Sequence, residues 1–277
     1  MKHPLMPSKP ISLTVDHLVS DPRRLLMMGA AAALAQGLIA CGGGGGGGVA
    51  AVAAPLNSVS PVPDSGPRTV PGAVPGAPAT YRVTLRSAWT AAAFGTQFPS
   101  GAHFSGLVGA THHAGVAFWT EGRAAALGIQ NVAELGSKEA FINEVNLAIA
   151  AGMASAVLSG PGISGTQTEA MLSFTVSPSH PLLTLVSMVA PSPDWFAGVG
   201  GLALYQDGLW KDLLTVPLEV YDTGTDSGRT FTSANQVTSP AGMLLPLSSA
   251  EGETDFAKGV HRSTGAYIAL MVFERTG

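Results

Sequence analysis

Short apolar runs separated by turn residues constrain the fold of this chain most strongly. The segment YRVTLRSAW, which begins at Tyr81, alternates apolar and polar side chains with the period of two that is typical of a strand with one buried face. Further runs rich in Val, Leu, Phe and Tyr are bounded by Gly, Pro, Ser and Asp: Met171–Val176, Leu182–Ala190, Leu202–Tyr205, Leu214–Val220 and Tyr267–Phe273. Pro217 interrupts one of them, and because proline cannot donate a ladder hydrogen bond, that strand is predicted at a sheet edge or at a bulge.

One segment has helical periodicity instead. In SKEAFINEVNLAIAAG, Ser137 is a candidate N-cap, Glu139 lies in the first turn and Gly152 is a stop signal. Its apolar side chains fall on one face at helical spacing, namely Phe141, Ile142, Val145, Ala148 and Ile149. Many short strands with one or two short helices predict a mainly β chain folded as an antiparallel β-sandwich.

Composition sets broad limits on size and partners. The chain has 277 residues, of which 46% are hydrophobic and 12% charged, so it can bury a substantial core in one or two domains. Its formal net charge of -4 gives no electrostatic reason to bind nucleic acid, which requires clustered Lys and Arg. We therefore expect no nucleic-acid partner.

The first forty residues have the pattern of an export signal. Arg23 and Arg24 precede the apolar run Leu25–Ala40, which is too short to cross a bilayer comfortably, so residues 1–40 are predicted to be a signal peptide. The run ends in LIAC, which resembles the bacterial lipobox and predicts lipidation of Cys41, the only cysteine of the chain. The alternative is that Cys41 is an ordinary small residue at a cleavage site. The RRLLM segment leaves Sec and twin-arginine export both open.

The next forty residues differ sharply in composition. Glycine is unbroken from Gly42 to Gly48, and alanine, proline and valine follow with almost no charge. Such a segment cannot bury enough apolar surface to offset its ordering entropy, so residues 41–80 are predicted to be a flexible tether. The folded domain is predicted to occupy residues 81–277, and a membrane is expected as partner through lipidated Cys41 in a bacterial cell envelope.

Two motifs give little support for catalysis. The segment GPGISG, residues 160–165, matches the glycine pattern of a dinucleotide site, but a strand-like run follows it where a helix is required, so we interpret it as a loop. Around Ser164 the final glycine of a nucleophile elbow is also missing. His112 and His113 are adjacent and would point to opposite faces of a strand, so structural or surface roles are predicted for them.

The segment VYDTGTDSG has a pattern that suits a metal ion. Asp222 and Asp226 are four residues apart, and Gly224 and Gly228 allow tight turns that can direct both carboxylates toward one point. A hard cation such as Ca²⁺, which prefers oxygen ligands, would offset the repulsion between them. The alternative is that each aspartate only forms Asx-turn hydrogen bonds with its own backbone. The spacing alone leaves both interpretations open.

Longer stretches resemble a known family. The most specific are APSPDW, which contains Asp194, and DTGTDSG, and they lie in the segments SHPLLTLVSMVAPSPDWFAGVGGLAL and YDTGTDSGRTF. FSGLVGATH and WTEGRAAALGIQNVAELG match in the same order. These stretches, from Tyr81 to about Pro246, are similar to the spondin N-terminal domain (F-spondin/mindin-like), a module of animal extracellular adhesion proteins and of some bacterial exported proteins.

The resemblance implies both a fold and a site. It implies a β-sandwich resembling a C2 domain, in which a calcium ion is held at the loop end by Asp194, Asp222 and Asp226. Thr223 stands where the family usually has alanine, which should leave the carboxylates undisturbed. With Pro191 and Pro193 fixing the backbone, Asp194 would be presented beside the other two aspartates, and Trp195 would anchor the same loop in the core.

Three functions remain open at this level. The first is a non-enzymatic, calcium-binding, lipid-anchored cell-surface or periplasmic adhesion module that binds a glycan, a matrix component or another surface protein through its loops. The second is an exported metal-dependent hydrolase that uses the acidic loop site. Calcium-dependent contact with phospholipid, with Phe196 as the exposed candidate, is a third and weaker possibility.

Overall fold

The computed structural model describes residues 76–94, 98–247 and 267–277. The chain divides into two units, 1–62 and 63–277, and every described residue belongs to the second. The predicted signal peptide, Cys41 and nearly all of the predicted tether therefore lie outside the described residues. The first strand begins at Ala79, two residues before the start predicted for the folded domain.

The described residues form mainly antiparallel strands. The strands are β1 Ala79–Ser87, β2 His103–Phe104, β3 Val108–His112, β4 Ala154–Ser159, β5 Glu169–Val176, β6 Leu182–Ala190, β7 Trp195–Ala203, β8 Tyr205–Gln206, β9 Leu209–Trp210, β10 Leu213–Leu218, β11 Val220–Asp222, β12 Leu245–Pro246 and β13 Ala269–Arg275. The helices are α1 Ala91–Phe94, α2 Leu127–Leu135 and α3 Glu139–Ala150.

Two sheets form a sandwich. The smaller sheet has the strand order β10-β13-β1-β5, and the larger has the order β12-β11-β7-β6-β3-β4, with β2 added to β6. All the strand pairs in both sheets are antiparallel. The predicted antiparallel β-sandwich is confirmed. Pro217 lies in β10, at an edge of the smaller sheet among the described strands, as its missing N–H predicts.

Apolar side chains fill two layers. The inward-facing residues of β1, including Tyr81, Val83 and Leu85, pack against β6, β7 and β13 between the sheets. A second cluster joins the other face of the larger sheet to α2 and α3, with Phe141, Val145 and Ala148 buried as the helical periodicity predicts. The helices therefore form a third layer that covers one face of the larger sheet.

The ends of the helices differ from the prediction. Lys138, not Ser137, is the N-cap of α3. Ser137 instead donates its backbone N–H to Asn131 O, which closes the C-terminal turn of α2 together with Gly136 in the left-handed conformation. The nine-residue helix α2 and the four-residue helix α1 were not predicted as separate elements.

Several strands are longer than the sequence pattern indicates. The predicted strand Leu202–Tyr205 is wrong, because β7 begins at Trp195 and ends at Ala203. Strands β3 and β4 were missed. Glycine explains part of this: a Cβ on Gly109 or Gly198 would overlap the backbone of the neighbouring strand β6. These glycines let neighbouring strands approach closely. In a local sequence window, however, glycine is more typical of a loop, so the strands were not predicted.

Candidate metal site

The two most specific segments meet because their strands are neighbours. Asp194 directly precedes β7, and Asp222 is the last residue of β11. Strand β11 pairs with β7 so that Asp222 lies opposite Trp195. Antiparallel pairing thus places Asp194 and Asp222 at the same end of the larger sheet, although 28 residues separate them in the sequence.

The loop that carries Asp194 is fixed on both sides. Ser192 Oγ accepts the backbone N–H of Trp195 at 3.2 Å. The Trp195 side chain is fully buried and packs edge-to-face on Phe231, with 5.4 Å between the ring centroids. The prediction that Trp195 anchors this loop in the core is confirmed.

Asp194 is fully buried, and its two carboxylate oxygens differ. Oδ2 accepts hydrogen bonds from Thr223 Oγ1 at 2.8 Å, from the Thr225 N–H at 2.8 Å and from the Asp226 N–H at 3.0 Å. Oδ1 has no hydrogen-bond partner. Burial raises the pKa of this carboxyl group, although the donors to Oδ2 act in the opposite direction.

Asp222 lies close enough to Asp194 for the two carboxyl groups to interact. Burial and then the negative charge of Asp194 raise the pKa of Asp222 to about 7. The Gly224 N–H, 2.6 Å from Asp222 Oδ1, and the Trp195 side chain lower this pKa and only partly offset the rise. The two groups, one fully buried and one half-buried, therefore form a pair that disfavours holding two negative charges at once.

Asp226 is oriented differently. Its Oδ1 accepts the Gly228 N–H at 2.7 Å, and its Oδ2 accepts the Gln236 N–H at 2.7 Å. The Asx-turn interpretation therefore holds for both loop aspartates, since Asp222 and Asp226 each accept the N–H two residues ahead. Over residues 76–94, 98–247 and 267–277, no three His, Cys, Asp or Glu side chains are grouped so that they could hold a metal ion.

The donor chemistry nevertheless fits a hard divalent cation. Asp194 Oδ1 is a buried carboxylate oxygen without a hydrogen-bond partner, and the adjacent Asp222 carboxyl group repels it. A buried charge without compensation is costly, and oxygen donors of this kind suit Ca²⁺. Asp194 and Asp222 fit the implied ion, whereas the Asp226 carboxylate is directed toward its own loop.

Sequence reasoning missed one acidic residue that contacts this site. Glu134, in the last turn of α2, accepts the Thr225 hydroxyl at 2.6 Å between Oγ1 and Oε1. Thr225 in turn lies beside Asp194. The segment that contains Glu134 was part of the family resemblance, but α2 was not predicted, so its proximity to a loop 91 residues later was not foreseen.

The other residues and motifs considered in the sequence do not form a second candidate site among the described residues. His112 is buried, and its Nε2 lies 2.9 Å from Thr184 Oγ1, which confirms a structural role. Burial lowers the pKa of its imidazole. Residues 160–165 form the loop before strand β5, as predicted. Phe196 is fully buried and is therefore not the exposed residue that phospholipid contact would require. None of the described helices is both long and apolar enough to span a membrane.

We expect the metal-free protein to lose stability as pH rises from about 4 to about 7. The folded-state pKa of Asp222, about 7, lies above the ordinary value of about 3.9, so folding favours the protonated form. That contribution is present below the unfolded-state pKa and is lost as pH rises through about 7. Thermal melts in EDTA across this range measure it. Asp222→Asn should flatten the dependence, whereas equal slopes in both proteins would refute this assignment.

Fold and site together define an antiparallel β-sandwich with a pair of interacting carboxyl groups at one end of its larger sheet. The spondin N-terminal domain model (Spondin_N) matches residues 79–264, and the chain belongs to this family, as the resemblance predicted. Rat spondin-2 is 38% identical over 171 residues, which cover 58% of this chain and 50% of that protein. Human spondin-2 is 37% identical over 180 residues, covering 62% and 53%.

Spondin-1 is also similar. The Xenopus laevis protein is 31% identical over 189 residues, which cover 66% of this chain and 23% of spondin-1. The chain thus spans about half the length of the spondin-2 relatives and about a quarter of the spondin-1 relatives.

Proposed function

We propose that this chain is a calcium-binding, lipid-anchored surface module of spondin type that adheres to a ligand outside the cell. The calcium site is proposed from one observation. Asp194 is fully buried near the Asp222 carboxyl group, and its Oδ1 atom has no hydrogen-bond partner. Calcium would supply the positive charge that this pair lacks. Membership of the spondin family supports the adhesive role.

Three aspartates are proposed to hold the ion. Asp194 and Asp222 contribute the interacting carboxylates, and Asp226 contributes through lone pairs that its two N–H hydrogen bonds leave open. Asp194 lies in the β6–β7 loop, whereas the other two lie at the end of β11 and just after it. The site would therefore join two loops that are distant in sequence, which stabilises an exported domain that has no second cysteine for a disulfide.

The anchor is proposed from the sequence of residues 1–80. Lipidated Cys41 would hold the protein at a bacterial membrane, and the Gly/Pro-rich segment would let the domain reach a ligand at a distance. The mass of the N-terminal peptide of the mature protein tests this directly. An unacylated peptide that does not begin at Cys41 would exclude the anchor.

Calcium-dependent capture tests the adhesive role. Full-length protein is applied to a glycan array and to immobilised matrix proteins in millimolar calcium and in EDTA, with Asp222→Asn as the matched variant. We expect retention that requires calcium and that Asp222→Asn reduces. Absence of retention on every surface would contradict the proposal. Activity on generic esterase, glycosidase or phosphatase substrates that is lost in folded Asp222→Asn would favour the hydrolase instead.

A further inference from the structure

Glu134 occupies an unfavourable position on its own helix. It lies in the last turn of α2, Leu127–Leu135, where the carbonyl end of the helix macrodipole disfavours negative charge. No basic residue is present in that turn to compensate. Its hydrogen-bond donors are the uncharged groups Thr225 Oγ1, at 2.6 Å, and Gln130 Nε2, at 3.0 Å. The contact with Thr225 is therefore the feature that offsets this local cost.

The Thr225 hydroxyl has one proton and three oxygen neighbours. Glu134 Oε1 lies 2.6 Å from Thr225 Oγ1, Thr223 Oγ1 lies at 2.8 Å, and Asp194 Oδ2 lies at 3.2 Å. A carboxylate oxygen at the shortest distance is the strongest acceptor, so the proton points to Glu134. The Thr225 hydroxyl then has no proton left to donate to Asp194 Oδ2.

This arrangement determines how Asp194 is held. The Asp194 Oδ2 atom already accepts the Thr223 hydroxyl and two backbone N–H groups. Without Glu134, the Thr225 hydroxyl would turn to Asp194 Oδ2, its remaining carboxylate acceptor. An added donor would weaken the carboxylate as a cation ligand and alter its orientation.

We propose that Glu134 is a positioning residue for the Asp194 carboxylate, acting through Thr225 so that the unpartnered Oδ1 stays directed at the cation site. The inference rests on the proposed calcium site and adds a residue from the helical layer to it. It also makes α2 sensitive to the ion. Since coupling is reciprocal, calcium should protect the C-terminal amides of α2 from hydrogen exchange.

Calorimetric titration of full-length protein with calcium tests the proposal. Residues that orient a ligand typically change metal affinity by about 10- to 100-fold, so Glu134→Gln, whose amide oxygen is a weaker acceptor for the Thr225 hydroxyl than the Asp194 carboxylate, should weaken binding by at least about 10-fold. Thr225→Ser, which keeps the hydroxyl, should retain most of the affinity. Thr225→Val has no hydroxyl to turn toward Asp194, so it should bind calcium nearly as wild type does, and the double variant Glu134→Gln with Thr225→Val should recover the affinity of Thr225→Val. Glu139→Gln, a charge removal on the exposed start of α3, is the control.

The outcomes separate this inference from the calcium site itself. Normal affinity in Glu134→Gln would overturn the inference and leave the calcium site intact. An equal loss in Glu134→Gln and in the double variant would also overturn it, since the charge of Glu134 alone would then explain the effect. Wild-type protein without binding heat would remove the calcium site and the inference together. If Glu134→Gln does not fold, hydrogen exchange of the C-terminal amides of α2 in wild type with and without calcium decides, and unchanged exchange would overturn the inference.

Discussion

Asp194→Asn will lower the calcium affinity of the protein by more than about 100-fold, beyond the usual effect of residues that only orient a ligand. The substitution removes the charge of a fully buried carboxylate whose Oδ1 atom is free of hydrogen bonds. The amide oxygen of Asn can still accept the donors that reach Oδ2, so the loop should remain folded. Calorimetric titration measures the affinity, and thermal melts show whether the loop stays ordered.

Whether wild type or Asp194→Asn is the more stable protein should depend on whether calcium is present. In EDTA, Asp194→Asn should be at least as stable as wild type, because an amide facing the half-buried Asp222 removes the repulsion between two adjacent carboxylates. In calcium, wild type should be the more stable, since a ligand at about 100 times its Kd adds about 2.7 kcal/mol. Asp207→Asn, in the exposed β8–β9 turn, is the matched control and should change neither value. The same order in both buffers would contradict the charge argument.

Trp195→Ala will destabilise the protein by about 3–5 kcal/mol, the usual cost of truncating a large buried aromatic side chain. Trp195 is among the largest fully buried side chains, and it packs on Phe231 between the sheets. It also follows Asp194 directly, so the cavity would release the loop that presents this carboxylate. Urea unfolding in EDTA measures the loss without a contribution from the metal.

A comparison with Trp195→Phe separates packing from polar contact. Phenylalanine keeps most of the buried ring but removes the indole N–H, which helps to lower the pKa of Asp222. We expect a smaller stability loss than in Trp195→Ala and a further rise in the pKa of Asp222. A loss below about 1 kcal/mol in Trp195→Ala would show that the loop does not depend on this anchor.

Local sequence pattern predicted the strands whose side chains alternate or are β-branched. Strand β6 has the predicted bounds, Leu182–Ala190, and β1 is displaced by two residues at each end from the predicted segment. Strand β7 was mispredicted because Gly198 and Gly200 have loop-like composition, while their actual role is to let β6 and Trp119 approach the strand closely. Close approach is a tertiary property, and a local window does not contain it.

The site was predictable only in part for the same reason. The spacing of Asp222 and Asp226 indicated turns, and both turns are present. The proximity of Asp194 depends on the pairing of β7 with β11, which the family resemblance supplied and periodicity did not. One feature of the sequence could have drawn attention to Glu134. It is an acidic residue just before Gly136, in the last turn of a helix, where the helix macrodipole disfavours negative charge. Recognising α2 would have made that signal visible.

The most direct test of the calcium site is a thermal melt of the full-length protein in EDTA and in millimolar calcium, paired with calorimetric titration of the metal. We predict a clear rise in Tm with calcium and a binding heat that fits one site, because the ion binds only the folded arrangement of Asp194 and Asp222. An unchanged Tm with no binding heat, after complete removal of metal has been verified by elemental analysis, would contradict the account and leave the aspartates as turn formers.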